Sequence, residues 1–168
     1  MKVLMAQKKQ TIEYRLLVQP AYDETLQKSG VLFLLETAKQ FTNFSYVIDV
    51  KDDVEGKNIL WTLRGLRAPS MNMPATGTAQ FHKIYFDLPM TVHFTLVKKG
   101  KVKAETEFSF LKTAFKSSKA TSTFLKIYTD QQEFQTKRIN DVVMAEAKPD
   151  IHREPPTTKK LIPQKTKR

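Results

Sequence analysis

Two sets of side chains in this sequence could do chemistry, and both lie between residues 64 and 126. The first is a set of soft donors. The stretch Arg64 to Gln80, RGLRAPSMNMPATGTAQ, places Met71 and Met73 on either side of Asn72, and His82, Met90 and His93 follow shortly after it. Thioether and imidazole groups are the ligands that Cu(I) prefers. Met71, Met73, His82, Met90 and His93 therefore define a candidate metal set, that of a Met/His copper carrier. A blue-copper centre is excluded, because it needs a thiolate and the chain has no cysteine. The competing reading is packing, and the loose spacing favours it. Methionines are adaptable gap fillers for the end of a β domain, and His93 then faces solvent between Val92 and Phe94. The stretch itself remains notable, because a connection this long inside a small domain is often functional. Its two cations, Arg64 and Arg67, belong to that interest.

The second set is cationic. Lys98, Lys99, Lys101, Lys103, Lys112, Lys116, Lys119 and Lys126 crowd one block, interleaved with Phe108, Phe110, Phe115 and Phe124. A basic groove with stacking rings is how single-stranded nucleic acid is held without reading its sequence. Two features favour a solvated lysine face over a core instead. The block has no arginine, the residue suited to phosphate and base forks, and its phenylalanines alternate as core residues do. Lysine on an edge hairpin also guards against edge-to-edge aggregation.

Enzyme chemistry has no foothold. There is no G-x-S-x-G, no glycine-rich phosphate loop and no H-E-x-x-H. Asp49, Asp52, Asp53 and Glu55 cluster on what reads as a polar hairpin tip, without the ligand frame of a calcium loop. The three histidines have no recognisable partner. No cofactor is expected.

These residues need elements to position them, and the elements read as strands. The chain has 168 residues, 40% hydrophobic and 27% charged, with a net charge of +11. That length suits one domain plus a tail. Period-2 alternation marks half-buried strands. Ile12, Tyr14, Leu16 and Val18 share one face, with Glu13 and Arg15 opposite. Further runs are Phe44 to Val50, Ile59 to Leu63 around Trp61, Lys83 to Phe86, Val92 to Leu96, and Ala104 to Phe110. Lys98-Lys99-Gly100-Lys101 predicts a hairpin, and residues 52–58 predict a second with a longer loop. Val31 to Lys39 and 124–128 read equally well as strand or short helix. Gln131 to Ala147 predicts a helix, with a stripe of Phe134, Arg138, Asp141, Val142 and Ala145. The expected fold is all-β, an antiparallel Ig-like sandwich of about seven strands with Trp61 at its centre.

The predicted organisation is a basic arm over 1–10, a β domain over 11–130, a helix over 131–147 and a tail over 148–168. The tail is extended and Pro-rich, with Pro149, Pro155, Pro156 and Pro163. Charge divides along these lines: the arm has three lysines and no acid, and the tail has seven basic residues against two acidic ones. No secretory h-region or membrane-length apolar run is visible, so a cytoplasmic location is expected. The pattern predicts a non-catalytic accessory subunit, docking through basic ends onto a larger, acidic protein assembly, peripheral membrane-bound ones included. The expected contact residues are Lys98, Lys99, Lys101, Lys103, Arg153, Lys159, Lys160, Lys165, Lys167 and Arg168. Nucleic-acid binding through the 98–126 block is the first alternative, and copper carriage the second.

Overall fold

Alternation of apolar and polar residues becomes nine strands and one helix in the computed structural model, which describes residues 12–68, 76–111, 114–118 and 122–146. In chain order these are β1 (Tyr14–Asp23), β2 (Lys28–Phe41), β3 (Val47–Glu55), β4 (Asn58–Arg67), β5 (Gly77–Tyr85), β6 (Thr91–Lys98), β7 (Val102–Leu111), β8 (Ala114–Ser117), β9 (Leu125–Tyr128) and α1 (Gln131–Glu146). The two ambiguous segments are both strands. Val31 to Leu35 reads as an unbroken apolar run because β2 is covered on both faces. Val31, Phe33 and Leu35 point into the main core, while Leu34 packs outward under α1.

The Ig-like sandwich is not what forms. One mixed sheet has the order β8-β7-β6-β4-β3-β5-β2-β1-β9. The hairpins β1–β2, β3–β4, β6–β7 and β7–β8 are antiparallel. However, β4 runs parallel to β6, and β1 parallel to β9, while β3 meets β5 in parallel at Val47 and Gln80. Period-2 patterning is the same for parallel and antiparallel neighbours, so alternation alone could not show this. Register shifts at Asp49/Val50 and between Glu36 and Gln40 bend the sheet as bulges do.

The sheet curls until it is nearly closed like a barrel. Phe33 of β2 sits 5.5 Å, centroid to centroid, from Phe108 of β7, although four strands separate β2 from β7 in the sheet. The same ring packs 5.2 Å from Tyr85 and 5.7 Å from Phe94. Trp61, as expected, lies fully buried among them. Its indole N–H has a partner, as buried tryptophan usually does. Nε1 donates to Asp52 Oδ1 at 2.9 Å, and the Tyr85 hydroxyl donates to the same oxygen at 2.6 Å. Lys83 Nζ pairs with the other Asp52 oxygen. Burial, reinforced by this bond to Asp52, pushes the Tyr85 phenol well above the ordinary tyrosine range.

Near closure brings the end of β6 against the β1–β9 edge of the sheet. The backbone amides of Glu13 and Tyr14 both donate to Phe124 O, at 2.9 and 3.0 Å. Lys98, at the end of β6, pairs with Glu13 and lies over the Phe124 ring at 5.5 Å. Helix α1 follows β9. Asp130 Oδ1 caps it by accepting the Glu133 amide at 2.7 Å. One turn in, Phe134 is fully buried against Leu17, Leu34 and Tyr128.

Candidate functional site

The basic hairpin forms where the sequence placed it. Lys99 and Gly100 both take positive φ, 52° and 67°, in the turn between β6 and β7, a conformation glycine adopts at little cost. Of the four lysines expected to make contacts here, Lys98 is spent on Glu13 and Phe124. Lys99, Lys101 and Lys103 are exposed and make no ion pair among the described residues. The rings interleaved with the lysine block turn inward. Phe108 and Phe124 are buried, and Phe110 and Phe115 pack against the core. The block thus presents no stacking ring among these four. Lys126 lies over Tyr128 at 6.0 Å and Lys116 is exposed. Lys112 and Lys119 lie outside the described residues, as do the arm and the tail with Arg153, Lys159, Lys160, Lys165, Lys167 and Arg168.

The soft donors do not converge. His82 is on β5 and His93 on β6, with β3 and β4 between them. His93 Nδ1 instead lies 3.2 Å from Glu107 Oε2. Met90 is exposed in the loop before β6. Met71 and Met73 lie outside the described residues. No group of three His, Asp or Glu side chains suited to a metal occurs among the described residues. Arg64 is exposed, and Arg67 Nε stands 3.9 Å from Asp49 Oδ1.

The sequence reading missed a polar cluster on the outer face of β1, β2 and β5. Arg15 and Glu36 are cross-strand partners, and both are buried, at 2% and 0% exposure. Arg15 Nη1 donates to Glu36 Oε1 at 2.8 Å. The other carboxylate oxygen accepts from Thr78 Oγ1 at 3.0 Å and Gln80 Nε2 at 3.4 Å. Arg138, one turn beyond Phe134, brings its Nε to 3.7 Å from Oε2. Alternation alone put Arg15 on the solvent face; it is buried because α1 covers that face. Beside this cluster opens a cleft of about 490 Å³, lined by Tyr46, Val47, Gln80, Phe81, His82 and Arg138 among others.

A second cleft, about 720 Å³, lies over β3, β4, β6 and β7 and is bordered by Asp52, Asp53, Glu55, Glu105 and Lys103. The two clefts differ in sign among the described residues: no acidic one lines the first, and four line the second.

The described residues form a mostly β protein on one mixed, nearly closed sheet, with one helix on its outside. No family model, curated protein or solved structure matches the chain. No helix among the described residues is long and apolar enough to cross a membrane.

Proposed function

We propose that the protein is a non-catalytic accessory subunit that docks onto an acidic protein surface through the β6–β7 hairpin tip and the basic segments at its two ends. The observation that carries this reading is the placement of Lys99, Lys101 and Lys103. They are exposed and free of ion pairs among the described residues, next to the point where the chain leads into β1. The Lys98–Glu13 pair fixes that adjacency, and Lys9 precedes Glu13 by only four residues. At no more than about 3.6 Å per residue, the lysines of the arm start within reach of the hairpin. Cations gathered at one end of a body raise association rates with an acidic partner and tune its salt dependence.

The test uses two probes on the full chain, poly-L-glutamate and a single-stranded oligothymidylate, each titrated at two salt concentrations. Salt-sensitive binding of polyglutamate is expected, weakened at least tenfold in K99E/K101E/K103E and in a chain lacking residues 148–168. Tighter binding of the oligonucleotide, with the steep salt slope of phosphate neutralisation, overturns the reading in favour of nucleic acid. Unchanged binding in both variants also overturns it.

A further inference from the structure

We infer that the cleft between Arg138 of α1 and β5, bordered by residues 45–47, is a binding site for a small carboxylate carried on an apolar body, with Arg138 as its anion receptor. The geometry around Glu36 leads there. Two guanidinium groups, Arg15 and Arg138, flank one carboxylate, Glu36. Distances decide which of them Glu36 satisfies. Arg15 is at 2.8 Å with its side chain 3% exposed, whereas Arg138 is at 3.7 Å and 33% exposed. Glu36 also accepts from Thr78 and Gln80, so its oxygens are occupied without Arg138. Arg138 makes no hydrogen bond among the described residues, and its one ion-pair contact there is the 3.7 Å approach to Glu36, which leaves its donors open to a ligand. A planar guanidinium matches a carboxylate fork.

The surroundings agree with that charge. Among the described residues the lining contains Arg138 and His82 and no acid, and its volume of about 490 Å³ lies in the range of about 300–1,000 Å³ typical of small-ligand clefts. Tyr46, Val47 and Phe81 supply an apolar wall for the body of the ligand. Arg138 brings a single positive charge and one planar fork, which suit a monoanionic carboxylate better than a phosphate dianion. Nothing in this inference depends on the basic hairpin.

The experiment is a calorimetric titration of the full chain with phenylacetate, its neutral isostere phenylacetamide, and phenyl phosphate. Phenylacetate is expected to bind at least tenfold tighter than the amide, a difference of about 1.4 kcal/mol. R138Q should reduce that preference to near unity, with helix content by circular dichroism confirming that α1 stays in place. V47W fills the cleft without changing charge at a position 39% exposed, and should abolish binding of both. Equal binding of acid and amide, or an intact preference in R138Q, overturns the inference. So do unimpaired binding in V47W and a failure of phenylacetate to bind. Tighter binding of phenyl phosphate overturns the monoanion assignment.

Discussion

Removing the buried carboxylate of Glu36 by Glu36→Gln keeps the size of the side chain and deletes its charge. Arg15, 2% exposed, then loses the oxygen it holds at 2.8 Å, and Arg138, 3.7 Å from the same carboxylate, loses that negative charge as well. Breaking a buried pair from one side costs about 3–5 kcal/mol, because an uncompensated charge is left behind. Replacing both partners with apolar residues is often close to neutral. Arg15→Met with Glu36→Leu would therefore recover most of the loss. The deficit that remains is about 1–3 kcal/mol, the cost of leaving buried Thr78 without its acceptor.

Urea unfolding followed through the fluorescence of Trp61, the only tryptophan, measures all three chains. Because Trp61 lies in the barrel interior rather than in this cluster, the probe is not itself perturbed. A Glu36→Gln cost below about 1 kcal/mol, the range of a surface pair, would show that the cluster is solvated. A double variant no more stable than the single one would refute the reasoning from uncompensated charge.

Three further predictions concern other parts of the fold. Phe134→Ala should cost about 3–5 kcal/mol of helix docking. Because Phe134 is the buried ring by which α1 packs on the sheet, limited proteolysis should cut within 131–146 while the Trp61 signal stays native. The raised Tyr85 pKa means that the folded state holds the phenolic proton more tightly than the unfolded chain. Its contribution is complete below the ordinary value of 10.0 and is lost as pH rises beyond it. Stability should accordingly fall above that pH in the wild type and fall less steeply in Tyr85→Phe. Gly30→Ala would bring a Cβ to 2.6 Å from Tyr85 O, whereas Gly56 has open space and only its φ of 57° to resist substitution. Denaturation should show a loss of about 1–3 kcal/mol for the first, as for overpacking, against about 1–2 for the second.

Much of the local structure was legible. Alternation located β1, β4, β6 and β7, Lys99-Gly100 located their turn, and Trp61 was read as a core residue. The longer loop expected over 52–58 is instead a tight turn at Gly56-Lys57, with Glu55 opposite Asn58. What alternation could not carry was partnership. Whether β4 lies beside β6 in parallel depends on side chains far apart in sequence, and both arrangements produce the same period. Arg15 and Glu36 were illegible for a related reason. Each looks like a solvent-facing residue on its own strand, and only the register that sets them opposite each other, with α1 above, makes them a buried pair. Of the candidate contact residues, the hairpin lysines were found from composition. Arg138 was read only as part of a helical stripe. Nothing in a single sequence shows that it would face a carboxylate a hundred residues away.

The parallel pairing of β1 with β9, Tyr14 beside Leu125, has a consequence for how the chain is made. The first described strand is paired on one side by the last described one. Joining them closes a loop of almost the entire domain, a long-range step that slows folding. Until residue 128 is released, a nascent chain carries β1 with an unfinished edge, and exposed edges invite pairing with other chains. Correct folding is thereby tied to the synthesis of residues 125–128. A transcript truncated before residue 125 would yield not a smaller stable domain but an aggregation-prone one.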